Sequence, residues 1–216
     1  MDKFNIEQFA NHLLDVMTTA THRRTAIANE LRRVIQAYGP EALVEALEAA
    51  IPAGARFGEM IVYRCNELTL MYARVPPHFQ SGIHDHTVCA CIGQLTGEER
   101  SVVYEPNEDG KGLRVKETLV SRPGEVTPLE KDAIHHIENP TDGISSALHI
   151  YAGDFGALSD RRSLYSYGEH ERNGFSFEGL LAESVVAMKK SGNDKGLDGL
   201  VQAIPAASKL VESVSA

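Results

Sequence analysis

Between positions 57 and 154 the chain breaks into short runs rich in β-branched and aromatic residues. No other feature constrains the fold as strongly. The runs fall at 59–65, 68–75, 87–95, 101–104, 113–119 and 145–151. Turn signals separate them: Asn66-Glu67, the stretch 107–112, Arg122-Pro123-Gly124 and the stretch 139–143. So many short strands joined by turns predict a β-sandwich or barrel.

The flanks carry a different period. Ile27, Leu31, Val34, Ile35 and Tyr38 recur at helical spacing until Gly39-Pro40 interrupts them. Pro40 suits the first turn of another helix, with Leu43, Leu47 and Ile51 on one face, and Pro52 ends it. Beyond 154 an irregular, charged and Tyr-containing stretch leads to two further apolar sets. These are Leu180, Leu181, Val185, Val186 and Met188, then the weaker Leu200, Val201, Ile204 and Leu210, with 191–194 as the connection. The 216 residues therefore read as one domain, mainly β with flanking helices: 1–52 helical, 57–154 the β core, 155–216 a loop and helices. The C-terminal helices either cover the core or mediate association, which leaves a homodimer open.

A formal charge of −9 and the absence of a long Lys/Arg run argue against nucleic acid or an anionic membrane as partner. No apolar run reaches the roughly 18 residues of a membrane span. The start, MDKFNIEQFA, places Asp2 and Glu7 where a secretory leader is basic and then apolar, so a cytoplasmic location is expected. Cys65, Cys89 and Cys91 form neither a disulfide framework nor a CxxC pair and are expected as buried or half-buried free thiols.

Chemistry concentrates in a few of the nine histidines. His12 and His22 belong to the N-terminal helices, and His170 lies between two glutamates, all of them ordinary surface positions. His78 follows Pro76-Pro77, near the more telling group. In His84-Asp85-His86, period two on a strand turns both imidazoles to one face and Asp85 to the other. Imidazole suits iron, zinc, copper and nickel, so the pair supplies half a metal site. A third ligand can come from His135-His136 on a strand about fifty residues on. Those two point oppositely when extended, so only one of them can join.

No carboxylate stands where one would complete the set, since 87–91 contains no acid. Three neutral imidazoles leave the charge of a divalent metal uncompensated, and such a site favours an anionic ligand such as a thiolate over simple hydrolysis. On the last run, His149 and Tyr151 share a face with Ala147, and a His-oriented phenol can donate a hydrogen bond to a bound species.

Taken in order, Ile83-His84-Asp85-His86, Gly97, Ile134-His135 with Glu138-Asn139, and Leu148-His149-Ile150-Tyr151 resemble the cysteine dioxygenase type of cupin, the thiol dioxygenases. The resemblance covers about 57–154 and implies a double-stranded β-helix, a jelly-roll barrel, with helices at both ends. It assigns His135 rather than His136 as third ligand. It implies one iron(II) per chain and oxidation of a small thiol to its sulfinate with both atoms of O2. Tyr151, oriented by His149, would then hydrogen-bond the substrate or an oxygen intermediate.

Three departures stand out. Ala147 replaces the family's Ser beside the His–Tyr pair, and Ala90 falls where animal members carry a Cys crosslinked to the Tyr, so no crosslink is expected. Cys65 occupies the place of the carboxylate-binding Arg of cysteine-specific members. Arg64 remains a candidate for that role. Arg161 and Arg162 resemble the Arg of bacterial 3-mercaptopropionate-type members, the branch to which the chain is more similar, and Arg161 is the expected second substrate contact. Competing readings are a different metal-dependent cupin enzyme, either a carbon–carbon-cleaving dioxygenase or an isomerase, and a non-catalytic cupin that binds a small ligand.

Overall fold

The computed structural model describes residues 3–52 and 60–214. In chain order the helices are α1 (Ile6–Thr19), α2 (Arg23–Tyr38), α3 (Pro40–Ala50), α4 (Phe177–Lys190), α5 (Asp194–Ala203) and α6 (Ser208–Ser213). The strands are β1 (Ile61–Arg64), β2 (Thr69–Val75), β3 (Ile83–Asp85), β4 (Ala90–Thr96), β5 (Glu99–Pro106) and β6 (Leu113–Ser121). They continue as β7 (Val126–Leu129), β8 (Ile134–Glu138), β9 (Ser145–Tyr151), β10 (Ser163–Tyr165) and β11 (Arg172–Gly174). The expected start of the first run, at 59, lies outside the described residues.

The strands form two antiparallel sheets, ordered β1-β2-β9-β4-β7 and β11-β10-β3-β8-β5-β6. Their inner faces share one apolar cluster, in which Ala90, Ile92, Ala147 and Tyr151 of the first sheet meet Val103 of the second. This is a double-stranded β-helix of the cupin type, with helices at both ends, as expected.

The outer face of the five-stranded sheet is buried too. Leu70, Cys91, Leu95 and Leu148 pack against Leu13, Leu31, Leu43 and Leu47 of α1–α3. Strand β9 is thus covered on both faces, which explains why all seven of its residues are buried. Gly93 permits the close approach of α2: a Cβ there would stand 2.8 Å from Ile35 Cδ1 and 2.9 Å from Leu31 Cδ2.

The C-terminal helices pack on the barrel. Ser176 Oγ caps α4 by accepting from Gly179 N–H at 2.9 Å. Val185 and Met188 of α4 with Leu197 and Leu200 of α5 then cover Val75, Phe79 and Ile137 at one end of the barrel. The sheet also runs past 154, because the stretch read as irregular contains the β10–β11 hairpin, which adds to β3. Strands of three residues are too short to display an alternation. Among the described residues no helix is long and apolar enough to cross a membrane.

Candidate metal centre

Strand pairing brings the three expected histidines together. His84 on β3 is the register partner of His135 on β8. His86 lies just beyond the end of β3, where Thr87 takes φ of 61° and breaks the strand. A β-branched residue in the left-handed region costs of order 1–3 kcal/mol. That turn delivers the third imidazole to the other two.

His86 Nε2 lies 3.3 Å from His84 Nε2 and 3.2 Å from His135 Nε2. Metal–nitrogen bonds of about 2.1 Å place neighbouring ligand nitrogens about 3.0–3.4 Å apart, so the spacing matches a shared cation. The tautomers agree with this. His84 Nδ1 is 3.1 Å from the Gly82 carbonyl oxygen, which only accepts, so its proton sits on Nδ1 and the Nε2 lone pair is free. His135 Nδ1 lies 3.3 Å from Ser101 Oγ, and Ser101 in turn hydrogen-bonds the Glu99 carboxyl. Burial holds His84 down to about 3 and keeps His86 and His135 well below the ordinary imidazole range. Three neutral imidazoles with converging lone pairs, all buried, fit a divalent metal.

The other histidines are accounted for elsewhere. His136 faces away from the cluster, 2.9 Å from Tyr104 Oη and 3.1 Å from Glu138 Oε1. His78 pairs with Asp142 at 2.8 Å. Asp85 turns outward as its place in the strand requires, with its Oδ1 accepting from Ser163 N–H at 2.9 Å.

Beside the cluster, Tyr151 Oη lies 3.0 Å from His149 Nδ1. Burial pushes the phenol well above its usual range and holds His149 down to about 4, so both are neutral near pH 7. Tyr151 meets His86 edge-on at 5.3 Å and stacks on Phe155 at 3.8 Å. Its register partner on β4 is Ala90, and Cys91 faces the α1–α3 layer.

Neither expected substrate-binding arginine reaches this place. Arg64 is on the outside, its Nε donating to Asp154 Oδ1 at 2.6 Å, and Arg161 is exposed. The arginine that is buried here is Arg162, the extended residue that follows the 3-10 turn Ser159–Arg161. Its guanidinium is sandwiched between Phe155 (3.9 Å) and Phe175 (3.5 Å), and Nε donates to the Asp85 carbonyl oxygen at 3.1 Å. Burial lowers it only to about 10, so it stays cationic, and its buried Nη1 has no partner among the described residues. The resemblance offers Arg161 and Arg162 together, and no period in this irregular stretch marks which of the two turns inward.

A cavity of about 260 Å³ joins these groups, lined by the three histidines, His149, Tyr151 and Arg162 together with apolar side chains from the barrel and from α4. Glu99 carries no sequence signal that marks it out. It is an acid at an inward position of β5, buried and pushed up to about 7 by that burial.

Fold and site together define a cupin-type barrel built around a three-histidine centre suited to a metal ion. No family model matches the chain. Among solved structures it is similar to hydroquinone 1,2-dioxygenase from Sphingomonas sp. TTNP3 (16% identity, 50% of this chain and 71% of that chain, TM-score 0.39). It is also similar to an uncharacterized conserved protein with a double-stranded β-helix domain from Klebsiella pneumoniae (12% identity, 50% and 82%, TM-score 0.39). A third is a cupin 2 conserved barrel domain protein from Salinispora arenicola (23% identity, 44% and 69%, TM-score 0.33).

Proposed function

We propose that this protein is an iron(II)-dependent dioxygenase that converts a small thiol carboxylate to its sulfinate with O2. The observation that carries the reading is a ligand set of three neutral histidines with no carboxylate, set beside a His-oriented Tyr and a buried, half-satisfied Arg. Iron(II) held by His84, His86 and His135 would supply open positions for a thiolate and O2, its full charge available to an anionic sulfur. The overall change is RSH + O2 → RSO2H, in which sulfur is oxidised, O2 is reduced, and no further reductant is consumed.

The chain's own residues divide the remaining work. Arg162 offers Nη1 to a carboxylate, and the aromatic rings on its two faces fix the guanidinium plane. His149 holds the Tyr151 hydroxyl, which stays protonated and can donate to the bound substrate. Phe155 and Phe175 exclude water from the charged end of the cavity.

Oxygen uptake by the iron-loaded protein with cysteine, 3-mercaptopropionate, mercaptosuccinate and cysteamine tests the reading. We expect one O2 consumed per sulfinate formed, with cysteamine poor because it lacks a carboxylate. Arg162→Gln should raise KM for a thiol acid about tenfold or more, the loss expected for a charged hydrogen bond. Absence of thiol-dependent uptake from a fully iron-loaded sample would overturn the proposal.

A further inference from the structure

The cavity is larger and more apolar than a three-carbon thiol acid requires. Such an acid has only six heavy atoms, whereas the cavity measures about 260 Å³ and most of its wall is hydrocarbon. The chemically active groups sit together. Phe155 is 5.8 Å from His86, Phe175 is 6.3 Å from His84, and Arg162 lies between those two rings.

Much of the rest of the wall belongs to one apolar cluster, to which Val75, Phe79, Ile137, Leu181 and Ile204 contribute. The two serines in that wall offer nothing to a ligand. Ser81 Oγ accepts from Ile137 N–H at 3.0 Å and donates to the Gly82 carbonyl at 3.1 Å. Ser184 Oγ accepts from Gly82 N–H at 2.9 Å and donates to the Leu180 carbonyl at 2.6 Å. Among the lining residues the one acid is Glu178, exposed in the first turn of α4. An α-ammonium deep in the cavity would therefore find no counter-charge, and a second carboxylate would be set against hydrocarbon.

We propose that the cavity takes a monocarboxylate bearing an apolar substituent, alkyl or aryl, with the carboxylate at Arg162 and the substituent against Val75, Phe79, Ile137, Leu181 and Ile204. The sulfur rests on the thiol dioxygenase reading, and the apolar tail rests on the cavity alone. Cysteine and mercaptosuccinate are then poor fits, one for its ammonium and the other for its second carboxylate. The C-terminal helices acquire a role: Leu181 of α4 and Ile204 at the end of α5 form the wall that selects the tail.

Two assays on the full chain separate this inference from the reading beneath it. In the first, the iron-loaded protein oxidises 3-mercaptopropionate, 2-benzyl-3-mercaptopropionate, mercaptosuccinate and cysteine, and kcat/KM is compared. In the second, calorimetry measures binding of the thiol-free acids propionate, 3-phenylpropionate and succinate to the zinc-loaded protein. We expect the benzyl thiol to exceed its parent at least tenfold in kcat/KM, and phenylpropionate to bind at least tenfold more tightly than propionate or succinate. Leu181→Gln and Ile204→Gln should each shrink both ratios. If 3-mercaptopropionate is oxidised but the benzyl compound gains nothing, the apolar tail is refuted and the thiol chemistry stands. If no thiol is oxidised yet phenylpropionate binds with the expected preference, the cavity assignment stands and the thiol chemistry falls. Equal binding of all three acids would overturn the inference outright.

Discussion

Residue by residue, the centre is set by which side of a strand each group occupies. His135 and His136 are adjacent and both buried, yet only His135 meets the cluster, while His136 is spent on Tyr104 and Glu138. His135→Ala should reduce bound metal to well under half an equivalent, whereas His136→Gln should retain a full equivalent; elemental analysis after gel filtration measures both. Glu99 gives a second prediction. Burial raises its carboxyl from 4.5 to about 7, so in the metal-free protein its neutral form contributes stability below pH 4.5. That contribution is lost as pH rises through 7, because the unfolded chain ionises first. The buried histidines act in the opposite sense. His84 and His149 fall from 6.5 to about 3 and about 4, so stability present above pH 6.5 is lost as pH drops toward those values. Urea titrations of metal-free Glu99→Gln should accordingly lack the decline between pH 4.5 and 7 that the native chain superimposes on the histidine trend. Identical profiles would refute the assignment.

For the elements, legibility followed length and exposure. The long runs of the β core and the helices α2 and α3 were readable because each has a stripe or face that repeats over several residues. Of the three clustered histidines, His84 and His86 were readable from their spacing of two, although β3 is only three residues long and ends before His86, and His135 was singled out from His136 by the resemblance alone. The β10–β11 hairpin was not readable, since three-residue strands in a charged stretch show no period, and for the same reason nothing in the sequence told the buried Arg162 from its exposed neighbour Arg161. The apolar faces of α4 and α5 were visible, but what they cover depends on docking that no local pattern encodes. That docking is tight near the centre: a Cβ on Gly82 would come within 2.7 Å of Glu183 Cβ and 3.3 Å of the Leu180 carbonyl oxygen. Gly82→Val should therefore cost about 1–3 kcal/mol in denaturant unfolding, the usual range for overpacking. It should also weaken metal binding, because the Gly82 carbonyl holds His84. An unchanged unfolding midpoint would mean that α4 yields freely.

Across the whole molecule, two sheets and two sets of helices enclose one low-dielectric space. Helices α1–α3 seal the outer face of the five-stranded sheet, and α4 and α5 cover one end of the barrel. Within that enclosure, three imidazoles stay neutral and Arg162 stays charged. On the proposed reading an anionic ligand lies between the metal and the guanidinium, and the apolar wall selects what else that ligand carries. The most direct test of the account is the mass of the product formed from a thiol carboxylate by the iron-loaded protein under ¹⁸O2. A sulfinate carrying both labelled atoms, about 4 mass units above its unlabelled form, is the expected product. A product with one labelled oxygen or none, or recovery of the thiol unchanged, would contradict it.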